Sequence, residues 1–467
     1  MSIDEPRAPG SERDLEAPGS ERDLEVQGSE PETDPEIDPE GDTIHRSLMW
    51  TLVGELVFAA CQWFSLMVVA KLGSPEALGR YALGLAVATP VIILANLHLR
   101  GVYVVEVRER WRFEHYLGLR MVMIPLALAV TAGICLVRGW PWQTAAVVLL
   151  LGAIRASGSA ADILYARAQR AEKMASIGIS RAARGLLWIG LLALGMAIAD
   201  EVVALALVAT ALALFTLLYD KPKAAALGTG ESGVGRAGGI RPSFDPRALA
   251  GLAWTALPIG LAAGLLGVTG NMPAYVLESS HGLVEVGFFA AVLSIMQASG
   301  VVNMALGNAA VPRLAKLAVS DARGFWVLLA ELLVLAAALN GLGVLGVAAF
   351  GELYLRLAYT PAYVVYFPQL MLTAVAAVIV GLANMLSQTL TAQSRFRTQL
   401  VINAVVLVFS VVASLLLIPG RGIAGAVETL VALAVFRFVI YLVVNVVVGP
   451  RRGRELEGRS GGAPERG

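Results

Sequence analysis

The chain is poor in the residues that build catalytic and metal centres. It has four histidines, His45, His98, His115 and His281, scattered without ligand spacing, and two cysteines, Cys61 and Cys135, each inside an apolar run. Two such cysteines read as small core residues, which excludes a disulfide framework and a Cys/His zinc site. There is no Walker loop, no GxGxxG and no serine–histidine–aspartate set. No catalytic residue, metal or cofactor is therefore expected, and the chain has no nucleotide site of its own to drive a process. Nothing points to a nucleic-acid partner. Charge is scarce too: Asp, Glu, Lys and Arg make up 15% of 467 residues, against about 25% in a soluble chain.

Apolar residues fill that space. The chain is 57% hydrophobic with a mean hydropathy of +0.69. From residue 46 to 449, apolar runs of about 20 residues alternate with short polar breaks, and a run of that length crosses a bilayer as a helix, the form that satisfies its own backbone in lipid. The pattern predicts an all-α polytopic membrane protein with about twelve spans, at 47–70, 79–99, 116–137, 143–163, 174–197, 202–219, 248–277, 286–309, 325–350, 362–390, 399–417 and 422–448.

The net charge of zero hides an asymmetry. Residues 1–44 hold 15 acidic residues and 3 arginines, so the remainder carries a balance of +12. That acidic segment repeats APGSERDLE at Ala8–Glu16 and Ala17–Glu25. It is Pro- and Gly-rich, lacks the basic start and apolar core of a cleavable signal, and predicts a disordered tail over 1–45.

Loops on the N-terminal side carry Arg108, Arg110, Arg112, Arg167, Arg170 and Lys173, and the same side gains Arg313, Lys316, Arg395 and Arg397 further on. The opposite loops hold few basic residues and are short. The basic-inside bias puts both termini in the cytoplasm of a multi-pass protein of the bacterial inner membrane.

The basic, Gly- and Ala-rich stretch 220–247 separates an N-terminal six-helix lobe, 46–219, from a C-terminal one, 248–449, and a second tail follows over 450–467. The halves echo each other. Trp50-Thr51 recurs as Trp254-Thr255, and the segment Glu76 to Tyr81, with Gly79, recurs as Glu285 to Phe289, with Gly287. A parallel repeat of this kind is a transporter arrangement, with a path between the two bundles.

Charges at membrane depth need a reason to be there. The first span carries Glu55 and, seven residues on, Gln62. The fourth carries Arg155 and Asp162, about 10 Å apart along the axis and too far for a direct pair. The fifth carries Arg181 and Arg184. Three cations from two helices of one lobe predict a water-filled, anion-attracting cavity, so Arg155, Arg181, Arg184, Glu55, Gln62 and Asp162 are the candidate substrate-binding residues. Asp162 reads first as a tie to a neighbouring helix and second as a binding residue. Arg120, Glu331 and Glu428 lie near span ends and are expected to reach back to the interface. Glu428 and Arg437 point to opposite faces of the last span. In the seventh span Pro258, Gly264, Gly267 and Pro273 suit a hinge or tight helix packing.

Several stretches together resemble the polysaccharide-biosynthesis (Wzx-type) flippases of the multidrug/oligosaccharidyl-lipid/polysaccharide exporter superfamily. They are Ser74–Val102 with LHLR at Leu97–Arg100, HYLGLRMV at His115–Val122, and Asp162–Gly185. In the second half they are NMPAYVLE at Asn271–Glu278, GNAAVPRLAKL at Gly307–Leu317 and TAQSRFRTQL at Thr391–Leu400. The resemblance runs in order from about 47 to 448. It departs from that family at Ala274, where an arginine often stands. It implies two six-helix lobes around a central cavity. It also implies export of a polyprenyl-pyrophosphate-linked oligosaccharide to the outer leaflet for cell-surface polysaccharide synthesis, alongside other glycan-assembly proteins. An excess of arginine suits a pyrophosphate. Two other readings stand beside it. A multidrug or cation antiporter of the same superfamily would favour a carboxylate-dominated cavity. A membrane-embedded glycan polymerase or ligase would need a large outer loop.

Overall fold

The computed structural model describes residues 39–106, 110–227 and 240–449. The acidic repeat, the centre of the 220–247 stretch and the tail from 450 onward lie outside the described residues. The chain divides into two units, Met1–Ile44 and His45–Gly467, and the account below concerns the second.

All the described elements are helical. The first lobe comprises α1 (Pro39–Leu72), α2 (Pro75–Asn96), α3 (Leu99–Val105), α4 (Phe113–Arg138), α5 (Trp142–Arg170), α6 (Met174–Ile198), α7 (Glu201–Phe215) and α8 (Lys221–Ala226). A single π-helical turn, Thr216–Asp220, joins α7 to α8, so the sixth span continues past residue 219. The second lobe comprises α9 (Pro246–His281), α10 (Leu283–Ser320), α11 (Ala322–Ala358), α12 (Phe367–Ala392) and α13 (Phe396–Val448), with a 3₁₀ turn, Pro361–Tyr366, before α12. Local chemistry sets the breaks. Ser74 caps α2 by accepting from Ala77 N at 3.1 Å, with Pro75 preset at the first helical position. Asp200 caps α7 in the same way, and Gly139 ends α4 in the left-handed region at φ 63°.

Eleven helices among the described residues are long and apolar enough to cross a membrane. The last, α13, has 53 residues, about twice what a bilayer needs. Gly422 interrupts it at φ 56°, ψ −131°, a backbone conformation that glycine adopts without strain. Two contacts show that the arms fold back on each other: Tyr441 Oη donates to Asn403 Oδ1 at 3.1 Å, and Phe409 stacks on Phe436 at 4.2 Å. Both pairs are centred on Gly422. Among the described residues the helices therefore supply twelve segments long and apolar enough to cross a membrane, six in each lobe, the number that the apolar rhythm predicts.

The largest core lies at the end of the bundle opposite the basic loops and draws on both lobes, including Tyr81, Trp188, Phe289 and Tyr363. The lobes meet there through a reciprocal crossing. A Cβ on Gly79 would run into the Leu283 carbonyl, and a Cβ on Gly287 would run into the Pro75 carbonyl. The two glycines occupy matching places in the two halves, so the echo seen in the sequence is a pair of helix starts that touch backbone to backbone. Arg138 bridges to Glu278, which also accepts from Trp140 Nε1 at 2.8 Å.

Along α9 the seventh-span glycines serve close packing. A Cβ at Gly260 would lie 2.9 Å from Leu97, one at Gly264 3.0 Å from Leu94 and one at Gly267 3.3 Å from Pro90. Pro258 and Pro273 lie inside an unbroken α9.

Candidate functional site

The polar centre of the first lobe is built where α1, α2, α5, α6 and α7 converge. Two cavities open there on the side of the basic loops. One encloses about 270 Å³ and is bordered by Phe58, Arg155, Asp162, Arg181, Arg184 and Trp188. The other, about 550 Å³, is bordered by His98, Arg100, Asp162 and Gln169. They share Ile93, Asn96 and Asp162 in their walls, so they adjoin.

Each cation near these cavities has a distinct environment. Arg184 is 3% exposed. It bonds Asp220 Oδ2 at 3.3 Å, Thr216 Oγ1 at 2.7 Å and Ser157 Oγ at 2.9 Å. The π turn places Thr216 and Asp220 together on the face toward α6. Asp220 also accepts from Ser180 at 2.5 Å, and Ser180 lies 2.7 Å from the Tyr165 hydroxyl. Arg184 thus forms a tie between three helices, through three hydrogen bonds from its two terminal nitrogens. Arg181 pairs with Glu55 of α1 at 3.2 Å and lies over the rings of Phe58 and Tyr165.

Asp162 pairs with Arg100 at 3.1 Å and faces Arg120 at 3.8 Å, so it ties its helix to α3 and α4 and leaves Arg155, Arg181 and Arg184 alone. Arg120 corrects an expectation. It does not reach back to the interface but is 1% exposed, donating to Asn96 and, at 3.0 Å, to Ser159. Glu428 near the other end of the molecule pairs with Arg421 at 2.5 Å. Glu331 is exposed.

Arg155 stands apart. Its guanidinium lies 5.6 Å over the Trp188 ring, it borders the cavity, and among the described residues no carboxylate is within ion-pair distance of it. Around the two cavities five guanidinium groups, of Arg100, Arg120, Arg155, Arg181 and Arg184, face three carboxylates, of Glu55, Asp162 and Asp220. The excess is two positive charges. An uncompensated cation at membrane depth is costly without an anion to meet it.

The sequence-expected residues divide accordingly. Arg155, Arg181, Arg184, Glu55 and Asp162 come together, whereas Gln62 borders neither cavity, and its described bond is through its backbone carbonyl to Ser65. Sequence reasoning missed Asp220, Arg100, Asn96 and Trp188. Asp220 fell at the edge of a span taken to stop at 219, and the apolar pattern alone gave no sign of a π turn. In the second lobe Arg437 lies over Tyr441 at 5.7 Å, away from these cavities.

Comparison with known proteins bears on the fold. No family model matches the chain. The capsular polysaccharide biosynthesis protein CapF of Staphylococcus aureus is 24% identical over 135 residues, 29% of this chain. The match spans 33% of CapF. Solved structures cover far more. A variant of the Vibrio cholerae MATE transporter VcmN superposes with a TM-score of 0.55 at 15% identity, covering 87% of this chain and 97% of that one. An inward-facing multidrug resistance MATE family transporter of the MOP superfamily gives 0.54 at 14%, covering 86% and 95%. A MOP superfamily transporter from Pyrococcus furiosus, described as having a binding pocket of reversed polarity that suggests a different function, gives 0.54 at 13%, covering 86% and 95%. The chain has the MATE-like two-lobed fold. At these identities the likeness is one of fold.

Proposed function

We propose that the protein is a membrane transporter, not an enzyme, that moves a polyprenyl-pyrophosphate-linked oligosaccharide from the cytoplasmic to the outer leaflet. The observation that carries this reading is Arg155, a cavity cation with no carboxylate partner among the described residues, in a site that holds two positive charges in excess. A pyrophosphate diester offers two acidic oxygens, which matches that excess, and its oxygens suit the forked donors of arginine. Arg181 is the second contact, because a phosphate can displace Glu55 from it. Arg184 and Asp162 position the site from behind through their own ion pairs. The partial likeness to CapF, a capsular polysaccharide biosynthesis protein, points in the same direction. Both termini lie in the cytoplasm of the inner membrane in this reading, which makes the two cavities open inward.

A second reading is export of a cationic drug in exchange for an ion. Glu55, an intramembrane carboxylate on α1 held by one arginine, favours it. Reconstituted protein separates the two. Polyprenyl pyrophosphate carrying a disaccharide should be flipped, with Arg155→Gln slower by about tenfold to a hundredfold, the loss of charged hydrogen bonds worth about 1.5–3 kcal/mol. Arg155→Lys should fall between, since it keeps charge and loses the fork. Ethidium transport at equal or greater efficiency, unaffected by Arg155→Gln, would favour the drug reading.

A further inference from the structure

Four of the eleven tyrosines, Tyr354, Tyr359, Tyr363 and Tyr366, fall between residues 354 and 366. They lie at the end of the bundle opposite the basic loops, on the last turn of α11 and in the connection to α12. Tyrosines at the end of a membrane span commonly face the interface as an aromatic belt. The structure turns the rings inward instead: Tyr359 is 2% and Tyr363 1% exposed. Tyr354, Tyr359 and Tyr363 form a chain of ring contacts at 5.8 and 5.2 Å, continued by Phe288 at 4.8 Å from Tyr363.

One contact of this cluster crosses between the lobes. Trp63 of α1 stacks on Tyr354 of α11, with centroids 6.0 Å apart and planes 9° apart. Among the described residues it is the one aromatic pair that joins the two halves. The polar atoms of the cluster are incompletely satisfied. Ser294 Oγ and Tyr354 Oη are 2.8 Å apart. Tyr359 Oη and Trp63 Nε1 lie beside that pair without forming a well-aligned hydrogen bond to it, and Tyr363 Oη has no partner among the described residues. A buried hydroxyl without a partner is costly, so a state of the molecule in which these hydroxyls are met is favoured by that relief.

We propose that this cluster is a sugar-binding station, formed when the lobes part at this end. The inference rests on the reading of a sugar-bearing substrate and names where its sugar is held. Parting the lobes frees one face of Trp63 and one of Tyr354. Aromatic faces are electron-rich and attract the C–H face of a pyranose, as they attract the positive edge of another ring. The Tyr359 and Tyr363 hydroxyls then take up sugar hydroxyls. Position supports the assignment. Phe58 borders the Arg155 cavity, and Trp63 is five residues further along α1, about 7.5 Å along the axis and about 140° around it, on the face that meets Tyr354 of the second lobe. A sugar attached to a pyrophosphate at Arg155 reaches that far. A ligand held better by the parted state shifts the lobes toward it, so the sugar itself promotes opening on the far side.

The test uses the full chain in proteoliposomes with two probes, polyprenyl pyrophosphate carrying an N,N′-diacetylchitobiose and bare polyprenyl pyrophosphate. The double variant Tyr359→Phe, Tyr363→Phe keeps every ring and removes two hydroxyls. It should flip the sugar-bearing lipid about tenfold more slowly than wild type, the worth of one to two hydrogen bonds, with the bare lipid unchanged and thermal stability equal or higher. Equal loss for both lipids, or loss for neither, overturns the proposal. A second arm titrates free N,N′-diacetylchitobiose and reads tryptophan fluorescence. Wild type should respond and Trp63→Leu should not, and equal responses overturn the proposal. If Arg155→Gln flips the bare lipid at the wild-type rate while the tyrosine variant still discriminates, the pyrophosphate assignment falls and the sugar station stands. If wild type moves neither lipid yet binds the free sugar through Trp63, the same holds.

Discussion

The Tyr275 hydroxyl on α9 donates to the carbonyl of Ala86 on α2, the carbonyl that Pro90, four residues on, leaves without its helical N–H. The bond joins the two lobes. The same device recurs within the second lobe, where Pro273 frees the Thr269 carbonyl and Ser410 Oγ donates to it at 3.1 Å. A proline inside a span removes one backbone bond, and in the bilayer the freed carbonyl must find another donor. At Pro90 and Pro273 the donor comes from a neighbouring helix, so these two prolines each specify a helix contact.

Replacing Tyr275 with Phe should leave the Ala86 carbonyl unmet, at a cost of about 1–3 kcal/mol. In a Pro90→Ala background the helix supplies its own N–H and the same Tyr275→Phe change should cost little. A double-mutant cycle read by thermal unfolding in detergent measures the coupling. Equal costs in both backgrounds would separate the tyrosine from the proline.

The reciprocal approach of Gly79 and Gly287 sets how tightly the lobes close at the far end. Gly79→Val or Gly287→Val puts a side chain against partner backbone, which cannot yield as a flexible side chain does. Spin labels on the ends of α2 and α10 should report a longer, broader distance distribution than wild type, and flipping should slow. An unchanged distribution would show that the crossing has slack.

Arg184 and Arg155 should behave oppositely. Arg184→Gln leaves Asp220 buried and unpaired, a loss of about 3–5 kcal/mol, whereas the pair Arg184→Met, Asp220→Leu should recover most of it. Arg155→Gln orphans no carboxylate and should unfold at or above the wild-type temperature while losing substrate. Thermal unfolding beside flipping rates distinguishes a tie from a ligand-binding cation.

Orientation can be checked by cysteine labelling, since Cys61 and Cys135 are buried and give little background. Ser279→Cys, at the end of α9, should react with an impermeant thiol reagent in intact cells. Ser232→Cys, in the basic stretch between the lobes, should react only after lysis. The reverse pattern would invert the topology. Deletion of residues 1–38, which precede α1 and lie outside the stretches that resemble the exporter superfamily, should leave membrane abundance and flipping unchanged.

Much of the architecture is written locally. The breaks after Leu72, Arg138 and Ile198 follow from Pro75, Gly139 and Asp200, and each apolar run falls within one helix or successive helices, although the helices run past it, most at α10, which ends at Ser320. Arg155, Arg181 and Arg184 could be singled out from sequence because charge in a long apolar run is rare whatever the fold. Their differing roles could not. Arg184 meets Asp220 across 36 residues and Asp162 meets Arg100 across 62.

The sequence by itself therefore determined the class of protein, the number of crossings, the basic end of the bundle and the lobe that holds the buried cations. Those are properties of single segments, set by helix period, by transfer into lipid and by capping chemistry. The tertiary structure decided which cation is a tie and which is free, and it turned the tyrosines of residues 354–366 into the protein. Helical periodicity tells which face a side chain occupies. Only the packing of another helix against that face tells whether it meets a carboxylate, a ring or an open cavity.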